Sequence, residues 1–227
     1  MKALSLLVLG ILIALLPSWC QAGVHSELCS MGSFGISLGA MQWLADSDAR
    51  EYRGDEYGAG GTAELRLLGK AVFRYRLDMN WLLSMETGFG WNGYPDSGNL
   101  VLWVIPTTVG AERRIGEISG FTTSLCFGGG VYVWGQRRGG NFLVDAVTCE
   151  KYHATDPGAY LGLGGETHMT DHVTVTGLAA AHYIYSANRD DFKDRLGGDD
   201  VFAEIRIGIN YYFSPYTGLV SGSAEGK

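Results

Sequence analysis

Residues 201–213 read VFAEIRIGINYYF, and their alternation decides the fold. Val201, Ala203, Ile205, Ile207, Ile209, Tyr211 and Phe213 share one face of an extended chain. Phe202, Glu204, Arg206, Gly208, Asn210 and Tyr212 share the other. A period of two over this length specifies a β-strand. One face suits hydrocarbon, whereas the other carries a carboxylate, a guanidinium and an amide. The rest of the chain offers no separate apolar element to cover the first face. The fold therefore turns on whether the pattern repeats and whether lipid covers it.

Residues 62–77 repeat it most sharply. Glu64, Arg66, Lys70, Arg74 and Arg76 fall on even positions, and Leu65, Leu67, Ala71, Phe73, Tyr75 and Leu77 on odd ones. Five charges on one face are incompatible with an all-apolar interior, because burying unpaired charge is very costly. They suit a wall with lipid on one side and a polar lumen on the other. Further strands are expected at 33–44, 81–92, 100–115, 121–134, 158–169 and 173–185, about eight in all. Trp81 and Trp91 stand near the two ends of their strand, the places that interfacial aromatic residues occupy. Pro106 donates no ladder hydrogen bond and predicts a bulge. Short connections at 78–80, 116–120 and 170–172 alternate with long ones at 45–61, 93–99, 135–157 and 186–200. Sheet edges are not tolerated in lipid, so the sheet must close. The expected fold is all-β: a closed, antiparallel, up-and-down transmembrane β-barrel of about eight strands.

The composition agrees. Of 227 residues 34 are glycine, 12% are aromatic and only 18% are charged, the balance of a β-rich membrane protein. The net charge of -7 and the lack of a basic stripe argue against nucleic acid as a partner. The chain divides into a signal peptide at 1–22, a barrel at 23–213 and a short flexible tail at 214–227. Lys2 and the apolar run 3–16 mark the signal peptide, with cleavage expected after Ala22. Cys29, Cys126 and Cys149 then remain in an oxidising compartment, an odd number whose pairing the sequence leaves open. No Cys/His spacing suggests a metal, and no cofactor is expected.

The short turns, the Glu/Arg-rich inner face and the terminal aromatic of INYYF resemble the small eight-stranded bacterial outer-membrane barrels of the OmpA, OmpX and OmpW type. The likeness runs from about Cys29 to Phe213. It implies residence in the bacterial outer membrane. It also implies outer-membrane lipid and lipopolysaccharide as surroundings, and recognition of Phe213 by the barrel-assembly machinery. The tail after Phe213 departs from that pattern.

The expected lumen set is Glu64, Arg66, Lys70, Arg74, Arg76, Glu86, Glu112, Arg114, Glu166, His168, Glu204 and Arg206. Eight strands leave a bore that side chains nearly fill, so these groups are expected to plug it as an ion-pair network. A narrow solute path lined by them is the alternative. A third reading, a lipid A-modifying hydrolase, rests on His182 and Ser186. Lipid A deacylases, also small barrels, use a closely spaced His and Ser. Here the two lie four residues apart, about 13 Å along an extended strand, beyond the ~3 Å of a nucleophile–base contact. The acidic run Asp190, Asp191, Asp194, Asp199 and Asp200 lacks an EF-hand order and reads as a solvated loop. His25, His153 and His172 are isolated. The expected role is structural or interactive, not enzymatic, with a surface ligand met by the loops near Tyr52, Arg138 and Asp191.

Overall fold

The computed structural model describes residues 32–45, 66–94, 100–118, 120–142, 144, 149, 151, 153–185 and 200–214. The expected signal peptide, Glu64, Tyr52, Ser186, Asp191, Cys29 and the tail beyond 214 lie outside them. No helix among the described residues is long and apolar enough to cross a membrane.

Among the described residues nine strands form one antiparallel sheet: β1 Gly32–Ala45, β2 Arg66–Arg76, β3 Trp81–Tyr94, β4 Leu100–Ile118, β5 Phe121–Arg138, β6 Asn141–Phe142, β7 His153–His168, β8 Val173–Ile184 and β9 Asp200–Tyr212. The sheet order is β4-β3-β2-β1-β9-β8-β7-β5-β6, and a further β4–β5 pairing joins its two ends. Eight strands thus close a barrel, and β6 is a two-residue appendage beside β5. Closure uses Ser33↔Tyr212 at one end of the β1–β9 seam and Trp43↔Phe202 near the other. Both chain ends therefore leave from the side of the short turns.

The alternation read at 201–213 places its residues in space. Ile205, Ile207, Ile209 and Tyr211 are exposed on the wall, while Phe202, Glu204, Arg206, Asn210 and Tyr212 are buried in the lumen. Phe34, Ile36, Leu38, Leu67, Leu83, Val109, Leu161 and Leu163 extend the exposed apolar surface around the barrel. An ordinary water-facing sheet would not carry such a surface; lipid accounts for it. Trp81 and Trp91 lie ten residues apart on β3, about 25 Å along the axis at the usual strand tilt and equal to the height of an outer-membrane apolar band. Trp91 faces Trp103 across β3–β4, which sets one boundary of that band.

Three expectations change. Pro106 makes no bulge. The β3–β4 ladder skips from Thr87↔Thr107 to Gly90↔Val104 without a slip, and Pro106↔Tyr132 pairs regularly on the β5 side. The missing N–H opens a gap, and the intact β5 ladder holds the register. Register shifts fall instead at Arg114/Gly116 and Trp43/Ala45. The expected turn 116–120 shrinks, because β4 runs to Ile118 and β5 starts at Phe121, with Gly120 at φ 79°. A positive φ suits glycine at such a corner. The expected loop 135–157 gives up both its ends to strand: β5 continues to Arg138, a Gly139–Gly140 turn follows, and β7 begins at His153.

Candidate functional site in the barrel lumen

Inward-facing side chains fill the bore in two tiers. The tier toward the short turns is ionic. Lys70 on β2 lies 2.7 Å from Glu204 on β9 and 3.5 Å from Glu86 on β3. Arg206, two residues along from Glu204, donates to Glu86 at 2.5 Å, stands 3.2 Å from Glu204 and donates to Ser37 at 3.0 Å. Each cation bridges the same two carboxylates, so the quartet is neutral. A second group continues it. Arg74 lies 2.8 Å from Glu112 and 3.9 Å from Glu166, and Arg114 lies 3.8 Å from Glu166. Thr174 and Tyr212 each donate a hydroxyl to Glu166 at 2.7 Å. Four cations thus face four carboxylates. Buried charges persist only when paired and hydrogen-bonded in this way.

The tier toward the long connections is apolar and aromatic. Met41, Trp43, Leu68, Leu102, Val104, Tyr132, Trp134, Ala154, Ile184 and Phe202 form one buried cluster. Within it the Trp134 indole donates to the fully buried Asp156 at 2.7 Å. His182 joins the tiers. Its ring stacks on Phe202 at 4.3 Å and on Tyr160 at 5.4 Å. Nδ1 meets the Tyr132 hydroxyl at 2.8 Å, and Nε2 stands 3.4 Å from Glu204. A carboxylate only accepts, so a neutral ring keeps its proton on Nε2 and accepts from Tyr132 at Nδ1. Tyr160 crosses the bore over Gly110 and Gly128, where any Cβ would collide with its ring or hydroxyl. Glycine here supplies room for a large partner.

The lattice therefore gathers Lys70, Arg74, Glu86, Glu112, Arg114, Glu166, Glu204 and Arg206 from the expected set. Arg76 lies half-buried at the short-turn rim, with its guanidinium 5.6 Å from the Tyr212 ring. Two residues are placed elsewhere. Arg66 is exposed at the outer end of β2, opposite Met41, because the apolar plug fills the section between it and Lys70. His168 is exposed at the last residue of β7, where the inward face reaches the barrel mouth. Alternation gives the side of the wall, not the depth, so it missed both. It also left Tyr132, Trp134 and Asp156 unassigned, the latter because it fell in the expected loop. The described cysteines are free thiols: Cys126 buried in the lumen and Cys149 exposed. No group of metal-binding side chains occurs among the described residues.

An apolar wall, a filled and ion-paired bore, and short turns gathered at one end define a transmembrane β-barrel of the small bacterial outer-membrane type. No family model and no curated protein sequence matches the chain. Solved structures do. Neisserial surface protein A superposes with a TM-score of 0.55 at 11% identity, over 81% of this chain and 97% of that one. A major outer membrane protein from Thermus thermophilus gives 0.49 at 10% identity, over 79% and 98%. Ail, the attachment invasion locus protein of Yersinia pestis, gives 0.43 at 14% identity, over 79% and 99%, in a complex with the heparin analogue sucrose octasulfate. The first of these carries the likeness, which at such identity is one of fold.

Proposed function

We propose that the protein is a non-enzymatic barrel of the outer membrane with a structural or surface-interaction role, a closed post that holds its long connections outside the cell. The observation supporting this is the sealed bore: a charge-balanced lattice capped by an apolar plug. Ion conduction needs a wetted path with sites an ion can enter and leave, and here the fixed charges are already spent on one another. The hydrolase reading loses its nucleophile–base support, since both ring nitrogens of His182 face lumen partners, Tyr132 and Glu204. Phe213, whose amide donates to the Gly32 carbonyl at 3.1 Å beside the β1–β9 seam, is the proposed mark for the assembly machinery.

Reconstitution into planar bilayers tests the sealed bore. The expected record is a membrane at baseline conductance. Sustained, voltage-stable steps that scale with salt would remove this reading in favour of the narrow channel.

A further inference from the structure

A basic patch lies on the outer wall, away from the lumen lattice. Arg137 sits near the end of β5, exposed between the buried Gln136 and the turn, opposite Val101 on β4 and Phe142 on β6. Its guanidinium lies 4.4 Å from the Phe142 ring centroid, and the Lys151 ammonium lies 5.2 Å from the same ring. Phe142 meets Trp103 edge-on at 6.5 Å. Lys151 is pinned by a bridge to Val144 and by its carbonyl, which accepts from His153 Nδ1 at 3.0 Å. Arg137, Lys151 and His153 are all exposed. Neither cation is ion-paired among the described residues.

The height of this patch names its occupant. Trp91 and Trp103 face each other at the boundary of the apolar band on the long-connection side. Arg137 stands level with Val101, two residues further out, about 5 Å beyond that boundary at the usual tilt and rise. That is the headgroup layer. Across the band, the matching outer-wall cation–ring pair among the described residues is Arg113 over Trp81 at 5.6 Å, with one cation on its ring. Two cations on one aromatic ring at the headgroup level of one leaflet complement an anion fixed at that depth.

We propose that Arg137 and Lys151, on their shared Phe142, clamp a phosphate of the outer-leaflet glycolipid, the lipid A part of lipopolysaccharide. The guanidinium supplies a planar two-point contact to phosphate oxygens, and the ammonium supplies a second charge. Phe142 and Trp103 present apolar surface to the acyl and sugar groups just below. This inference rests on the outward orientation of the long connections given under the proposed function.

Titration of the full-length protein in detergent micelles with bisphosphorylated lipid A, read by native mass spectrometry, tests it. R137Q/K151Q is expected to bind about thirtyfold more weakly than the wild type, from roughly 1 kcal/mol for each of the two interfacial cations. The wild type is expected to lose a similar factor when the lipid is dephosphorylated. R113Q is expected to bind as the wild type does. Heat-resistant gel migration reports whether each variant is folded, and Lys151→Glu replaces the double variant if that one fails to fold. Equal affinity of wild type and variant, or indifference to the lipid phosphates, would overturn the proposal. Full competition by inorganic phosphate at the lipid's concentration would overturn the lipid as its source. A micelle has no leaflets, so this outcome is independent of which way the barrel faces.

Discussion

Toward the long connections the barrel is packed with Met41, Trp43, Leu68, Val104 and Phe202; toward the short turns it is packed with paired ions. Both tiers fill a bore of the same width with side chains from nearly every strand. They differ in what a single change does to them. In the plug, each residue contributes its own contacts, and a loss is local. In the quartet at the heart of the lattice, each ion is held by two opposite charges, so a loss leaves its partners charged and dry. Buried pairs add little net stability over apolar residues of the same size, but removing one member strands the other. The plug sharpens this contrast, since it closes one route by which water would reach the stranded group.

The largest expected effect breaks the lattice. Glu204→Leu leaves Lys70 and Arg206 sharing Glu86, and is expected to cost about 3–5 kcal/mol in urea unfolding from lipid vesicles. Adding Lys70→Met restores neutrality. The double variant is expected to be more stable than Glu204→Leu alone; a strictly additive loss would show that the quartet is not a unit. Next comes the plug: Leu68→Ala is expected to cost about 2–4 kcal/mol by the same measurement, with no partner substitution that rescues it. The smallest effect is expected at the polar link between Trp134 and Asp156 in the plug. Trp134→Phe leaves the buried Asp156 without its indole donor and is expected to cost about 1–3 kcal/mol. Equal costs for Glu204→Leu and Trp134→Phe would erase the distinction between the tiers.

Much of this was legible in the sequence because two solvents sort the side chains. Lipid outside and ions inside make the alternation at 66–76 and 201–212 unmistakable, and both strands obey it. Depth was not legible. Arg66 and Lys70 lie on the same face, yet only Lys70 reaches the lattice, and nothing local to the sequence marks the plug between them. Strand ends were also hidden. Glycines and polar residues at 135–157 read as a loop, although neighbouring strands supply ladder partners as far as Arg138 and back from His153. Asp156 was lost with that boundary. His182 read as a candidate base because sequence shows its type and not the rings stacked on both its faces.

The seam between β1 and β9 has a consequence for how the molecule comes to exist. Ser33 waits for Tyr212, a partner almost the whole length of the chain away, whereas every other wall contact joins strands that are consecutive in sequence, save for the small β6. Pairing between such distant segments is slow. During that delay β1 presents a bare edge beside Ile36 and Leu38, the kind of surface that recruits wrong neighbours. The arrival of the last strand sets the pace of assembly, and the first must be chaperoned until then.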